Sequence, residues 1–308
     1  MEIKGKVVFS SGKSGDYDIW VLDLVSQRLS QLTSGPHCND CPRWSPDGAK
    51  IVYTSNRTGT PEIWVMDENG KNQTRLTNNG RWHETPSWSP DGKSLVFCAN
   101  YDGSNIDVYT MKVDGTGLQR ITDYKEMDST PQYSPDGRNI IFISRRSGND
   151  DIWNYDLQSK EFKQLTNCAR KDFSPAYSPD GKQIAFLRAD DVASEIENLD
   201  IYLMDSAGGN ERRITDDLGP DKHVRWSPDG RYLIYTSTRM LSSAERLMVM
   251  DIQGSELLNL DFNRTPLENE IDAHSQPIGL FSALSEKILK KTYTGIYFGT
   301  ERWPDWKF

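Results

Sequence analysis

Three of the four histidines stand at recurring places in this chain. Three residues before an aligned proline (Val224 in one unit) come Asn39, His83, Asp128, Asp172, Asp221 and His274. One residue before it come Cys41, Thr85, Thr130, Ser174, His223 and Gln276. Imidazoles among carboxylates and amides suit zinc, manganese or similar cations, which makes His83, His223 and His274 the metal candidates. The same groups on the rim of a channel would form a polar funnel for a ligand or peptide. A third reading is structural: an aspartate entering a strand caps backbone N–H groups and pairs with loop arginines such as Arg57, Arg146, Arg188 and Arg239. Residue types alone leave all three readings open. The candidate binding set is therefore Asn39, His83, Asp128, Asp172, Asp221, His223, His274 and Gln276, with Arg57, Arg146 and Arg188 around it.

No residue is assigned a catalytic role. There is no Gly-x-Ser-x-Gly nucleophile elbow. Ser11-Gly12-Lys13-Ser14 lacks the first glycine of a phosphate-binding loop, since position 7 is Val7. His83-Glu84 is not followed by the second histidine of His-Glu-x-x-His and runs into Pro86 rather than along a helix. Carboxylate pairs such as Asp190-Asp191 and Asp216-Asp217 lie in loops. The turns Asp67-Glu68-Asn69-Gly70 and Asp114-Gly115-Thr116-Gly117 lack the alternating acids and distal glutamate of a calcium loop. Cys38-x-x-Cys41 has no second such pair and reads as two loop thiols; Cys98 reads as a small core residue.

The elements that must position these residues repeat. Ser-Pro-Asp-Gly recurs at 45–48, 89–92, 134–137, 178–181 and 227–230, with spacings of 44, 45, 44 and 49. A period of about 40–45 residues with β patterning marks a β-propeller, one four-stranded blade per repeat. Within a unit, proline and glycine form the turn, and β-branched and aromatic runs form the strands, as in Lys50–Ser55 and Glu62–Asp67. The third strand recurs six times, centred on Trp20, Trp64, Tyr109, Trp153, Tyr202 and Met248. The fold class is thus all-β: one six-bladed propeller of four-stranded antiparallel blades, with blade 1 closed by a C-terminal strand. The blades are read as 5–33 plus 274–282, 42–77, 86–122, 131–166, 175–215 and 224–260. His274–Leu280 resembles His83–Ser89 with the proline in register, which nominates 274–282 as the closing strand. The tail 283–308, with Trp303-Pro304-Asp305-Trp306, is left outside the repeat and read as docking on its own domain.

Two faces follow from this strand order. Loops between second and third strands, and loops leading into inner strands, share one face. The Ser-Pro-Asp-Gly and Asp-x-x-Gly turns share the other. The varied loops of the first face are the expected home of binding residues.

The formal charge is −9, which argues against a nucleic-acid partner. No apolar run reaches the ~18 residues of a membrane-spanning helix. Met1–Val7 lacks the long apolar stretch of a signal peptide.

The repeat text resembles the WD40-like (PD40) repeat of the TolB C-terminal propeller. The carrying residues are Tyr53–Arg57, Glu62–Asp67, Arg75-Leu76-Thr77 and Pro86–Gly92, and the likeness spans roughly residues 5–282. Related repeats occur in propellers of prolyl-oligopeptidase-like and tricorn-type peptidases and of oligogalacturonate lyases. The resemblance implies a non-enzymatic scaffold in the periplasm that binds a protein partner, a Pal-like lipoprotein. The N-terminal domain of TolB is not found in this chain, and a cytoplasmic location stays open. Likeness to the lyases, which hold a metal among histidines and a glutamine, keeps open a metal-dependent enzyme with a divalent ion in the channel. An accessory propeller serving a separate peptidase is the remaining alternative. A monomer with no resident cofactor is the expectation.

Overall fold

The computed structural model describes residues 5–26, 28–101, 103, 105–189, 198–216, 219–238, 246–260 and 305–307. Six four-stranded antiparallel sheets follow one another along the chain. Blade 1 holds β1 (Lys6–Ser11), β2 (Asp18–Asp23) and β3 (Arg28–Gln31). Blade 2 holds β4 (Asn39–Trp44), β5 (Lys50–Ser55), β6 (Glu62–Asp67) and β7 (Thr74–Arg75). Blade 3 holds β8 (His83–Trp88), β9 (Ser94–Ala99), β10 (Asp107–Lys112) and β11 (Gln119–Arg120). Blade 4 holds β12 (Asp128–Tyr133), β13 (Asn139–Ser144), β14 (Asp151–Asp156) and β15 (Phe162–Gln164). Blade 5 holds β16 (Asp172–Tyr177), β17 (Gln183–Ala189), β18 (Leu199–Asp205) and β19 (Arg212–Arg213). Blade 6 holds β20 (Asp221–Trp226), β21 (Tyr232–Ser237), β22 (Arg246–Asp251) and β23 (Glu256–Leu260).

A C-terminal strand closes blade 1, as the repeat count requires. It is β24 (Asp305–Lys307), paired with β1 in the register Lys6↔Lys307, Val7↔Trp306 and Val8↔Asp305. The segment 274–282 named for that position lies outside the described residues, and so does most of the 283–308 tail. Trp303-Pro304-Asp305-Trp306 aligns with Cys41-Pro42-Arg43-Trp44 and Thr85-Pro86-Ser87-Trp88, and is the sixth inner-strand copy.

Each blade buries both faces, so its middle strands are continuous apolar runs rather than alternating ones. Ile51 and Tyr53 of β5 pack on blade 1, through Val8, Ile19 and Val21. Val52 between them packs on blade 3, against Trp88, Leu95 and Phe97. The core is therefore a set of layers between blades. One cluster of buried residues fills each of the six junctions, including the one where blade 6 meets blade 1 through Tyr232, Ile234, Leu247, Val7, Phe9 and Trp20. A closed ring of this kind leaves no inner sheet edge exposed.

The Ser-Pro-Asp-Gly turns are near copies of one another. Ser45 Oγ donates to Asp47 Oδ1 at 2.5 Å and accepts from Lys50 N–H at 2.9 Å, and the other four turns repeat this. The serine hydroxyl bond, first of all, holds the carboxyls of Asp47, Asp91, Asp136 and Asp180 below the usual carboxylate range. Gly92 adopts φ +67°, and a Cβ there would meet Pro46 of the preceding turn at 3.7 Å. The turns thus touch around the ring.

Candidate functional site

The inner strands begin three residues earlier than their prolines suggest, because a bulge lets the ladder continue past the kink. The register shifts between Asp40 and Arg43, Glu84 and Ser87, Ser129 and Gln132, Phe173 and Ala176, and Lys222 and Arg225. The residue before each proline or Val224 takes a left-handed backbone: Cys41, Thr85, Thr130, Ser174 and His223, with φ from +49° to +57°. Five non-glycine residues in that region, at one repeated position, re-aim the strand along the channel. Arg43, Thr85, Ser87, Thr130, Gln132 and Arg225, with Pro86, Pro131 and Pro175, line a small pocket that opens to solvent.

Above this level lies a polar network that recurs from blade to blade. An acid stands at the start of each third strand in blades 1 to 5: Asp18, Glu62, Asp107, Asp151 and Asp200, all buried. A threonine just past the outer strand reaches over it. Thr33, Thr77, Thr122, Thr166 and Thr215 accept, through Oγ1, the N–H of Ile19, Ile63, Val108, Ile152 and Ile201 at 2.8–2.9 Å. The hydroxyl donates to the acid, at 2.9 Å from Thr33 to Asp18 and 3.3 Å from Thr122 to Asp107; Thr77 bonds Glu62 likewise. An outer-strand side chain closes the other side: Gln31 on Asp18 at 2.9 Å, Arg75 on Glu62 at 2.8 Å, Gln164 on Asp151 at 3.0 Å and Arg213 on Asp200 at 2.6 Å. A buried carboxylate left without such partners would be strongly unfavourable.

The first residues of the inner strands complete the network across the blade junctions. Asn39, His83, Asp128, Asp172 and Asp221 each open an inner strand and are at most 1% exposed. Asn39 Nδ2 donates to Asp18 of blade 1 at 3.2 Å, and His83 Nδ1 lies 3.0 Å from Glu62 of blade 2. Arginines reach back to the same residues: from loops Arg57 to Asn39 at 2.8 Å and Arg146 to Asp128 at 2.8 Å, and Arg188, which stands on β17 rather than in a loop, to both oxygens of Asp172 at 2.6 and 2.9 Å. The guanidinium carbons sit over aromatic rings, Arg57 over Trp64 at 4.5 Å and Arg146 over Phe162 at 4.3 Å. Asn39, Asp128 and Asp172 thus pair with arginines. The arginine pairs lie within single blades, where Arg57 and Arg146 hold the loops between second and third strands against the inner strand, while Asn39–Asp18 and His83–Glu62 cross from one blade to the next.

Burial sets the electrostatics. It pushes His83 below the ordinary histidine value against the pull of Glu62, so the ring is held neutral. It pushes the carboxyls of Asp128 and Asp172 up, against their arginines. Burial raises the Cys41 thiol well above its usual range and takes Cys98 to about 12, so neither is poised as a nucleophile. All four cysteines are free thiols.

The two candidate histidines among the described residues stand on different blades. His83 belongs to blade 3, packed edge-on to Tyr101 with ring centroids 4.9 Å apart. His223 belongs to blade 6 and lies 3.2 Å from Thr236 Oγ1. His274, Gln276 and Arg239 lie outside the described residues. Among the described residues, no three histidine, cysteine, aspartate or glutamate side chains converge as a metal-binding group.

Reading the sequence by its prolines missed the acid–threonine pairs. Their signal was available: in blades 1 to 5 an acid stands two residues before the central residue of the third strand, and a threonine follows every outer strand. Blade 6 departs from this, with Arg246 at the acid's place and Asp261, outside the described residues, at the threonine's.

Residues 4–106 and 82–200, more than half of the chain together, match the TolB beta propeller domain family, and the chain belongs to that family. Residues 147–295 also match the tricorn protease N-terminal beta propeller domain. Among solved structures, TolB from Acinetobacter baumannii is similar over 99% of this chain and 67% of its own, at 24% identity and a TM-score of 0.77. The structure described as putative TolB from Agrobacterium tumefaciens is similar over 69% of this chain and 80% of its own, at 29% identity and a TM-score of 0.61. An oligogalacturonate lyase in complex with manganese shares the fold at 17% identity and a TM-score of 0.55, over 84% of this chain and 75% of its own. No curated protein sequence matches the chain significantly. No helix among the described residues is long and apolar enough to cross a membrane.

Proposed function

We propose that this chain is a binding scaffold: a TolB-like propeller that takes a protein or peptide partner on the face around the mouth of its channel, without chemistry of its own. The observation that carries this reading is the division of labour on that face. The repeated polar residues are buried and bonded to neighbours inside the fold, while the loops on that face differ from blade to blade. On those loops Arg81, Lys125, Glu126 and Met127 are exposed, Met127 to 37%. A rigid frame under varied loops is how propellers and other scaffolds present recognition surfaces. Asn39, His83, Asp128, Asp172 and Asp221, with Arg57, Arg146 and Arg188, support the surface from beneath, while the partner meets the loops. Membership of the TolB family supports a protein partner, and a Pal-like lipoprotein is the first to try.

A photo-crosslinking residue placed at Met127, with a control at Leu118 on the opposite face, tests the proposal. One discrete protein adduct at 127, absent at 118, is the expected result. Adducts at 118 alone, or a purified propeller that cleaves oligosaccharides with a bound metal, would overturn it.

A further inference from the structure

The chain carries two Asn-Gly pairs, Asn69-Gly70 and Asn79-Gly80. In such a pair the glycine nitrogen can reach the asparagine side-chain carbonyl, because no Cβ stands in the way. The two sites differ in their surroundings. Gly70 is locked in a tight turn: its N–H donates to the Asp67 carbonyl at 2.9 Å, and a Cβ there would lie 2.8 Å from the Leu32 carbonyl of blade 1. Asn79, Gly80 and Arg81 are exposed, and a Cβ at Gly80 would meet nothing within 4 Å.

The Gly80 N–H also has a different acceptor. It donates to Glu62 Oε1 at 3.2 Å. Gly48, Gly92, Gly115, Gly137, Gly181 and Gly230, which follow aspartates, donate like Gly70 to a backbone carbonyl of their own turn. Glu62 is buried and is held in place by Arg75, Thr77 and His83. Asn79 Oδ1 accepts the Arg81 N–H at 2.9 Å. The nitrogen that would attack thus has a carboxylate within proton-transfer reach. The carbonyl it would attack is already bonded to a backbone donor, the kind of group that stabilises a developing oxyanion. Asn69 Oδ1 likewise accepts the Lys71 N–H at 3.1 Å, but the Gly70 N–H goes to a carbonyl rather than to a base.

We infer that Asn79 is a self-modifying site: Glu62 drives its cyclisation with Gly80 and its conversion to an acid, a change from which the fold protects Asn69. Glu62 takes the proton of Gly80 N as that nitrogen attacks Asn79 Cγ. The N–Cγ bond forms, the Cγ–Nδ2 bond breaks, and Nδ2 leaves as ammonia with the proton that Glu62 returns. Water then opens the five-membered imide at either carbonyl, which leaves aspartate or isoaspartate at position 79. No oxidant or cofactor enters the balance. The product adds a negative charge next to Arg81 on the channel-mouth face, and the isoaspartate form adds a backbone atom to that loop. The reaction runs whether or not a partner binds there.

Ageing the full-length protein in heavy-oxygen water tests this, with peptide mapping by mass spectrometry to follow the acid formed at 79 and at 69 in the same sample. Asn79 is expected to convert at least about tenfold faster than Asn69, because only Asn79 has a positioned base. Glu62→Gln keeps an acceptor but removes the base; it should slow Asn79 by about tenfold or more and leave Asn69 unchanged. From about pH 7 to 9 the Asn69 rate should climb with hydroxide, while the Asn79 rate stays nearly level. Equal rates at the two sites, or an Asn79 rate that Glu62→Gln leaves unchanged or raises, would overturn the assignment. Should that variant fail to fold, the pH profiles of the unaltered protein decide: an Asn79 rate that climbs in step with Asn69 leaves no part for Glu62.

Discussion

Asp172 and Arg188 make the sharpest case at the scale of single residues. Both are buried, bonded through two oxygens, and Arg188 also bonds Glu211. Removing one partner strands the other in a medium that solvates it poorly. Arg188→Ala is expected to cost about 3 kcal/mol in urea unfolding, and Asp180→Ala in an exposed Ser-Pro-Asp-Gly turn less than half as much. His83 gives a pH signature. Burial holds its folded pKa below 6.5, so as pH falls the unfolded chain takes up the proton first. The stability it contributes is whole above pH 6.5 and is lost as pH drops toward the folded value, with a slope of at most about 1.4 kcal/mol per pH unit. His83→Asn, the residue that blade 2 uses at this place, should flatten that slope when unfolding is followed from pH 7.5 to 5.

The elements owe their positions to a few repeated devices. The Ser-Pro-Asp-Gly turns made five blades legible, since proline, glycine and the serine–aspartate bond leave little choice of backbone, and the six copies of the third strand added blade 1. The proline-relative positions of Asn39, Asp128 and Asp172, and their pairing with Arg57, Arg146 and Arg188, were legible too. The contacts of Asn39 with Asp18 and of His83 with Glu62 were not, because a contact between consecutive blades lies about 20 residues away along the chain and leaves no local periodicity. The closing strand was misread for a related reason. Its x-Pro-x-Trp text is present at 303–306 but is followed by Lys307-Phe308 instead of the turn that marks the other copies. Tight blade contacts also fix individual glycines. A Cβ at Gly208 would lie 2.8 Å from the Leu165 carbonyl of the preceding blade, whereas one at Gly59 meets nothing within 4 Å. Both have positive φ, so Gly59→Ala should cost about 1 kcal/mol and Gly208→Ala clearly more; thermal melts of the two variants check the order.

For the whole molecule, the account places rigidity and recognition in different residues. Core layers and clasps circle the channel and close at blade 1, and the loops above them carry the variation. A partner should therefore protect loops without reshaping blades. The most direct measurement is hydrogen exchange of the full-length protein with and without the partner captured at Met127. The account predicts added protection in the stretches 76–82, 121–127 and 145–150, with the inner strands unchanged. Protection confined to the Ser-Pro-Asp-Gly turns, or no change on the channel-mouth face, would contradict it.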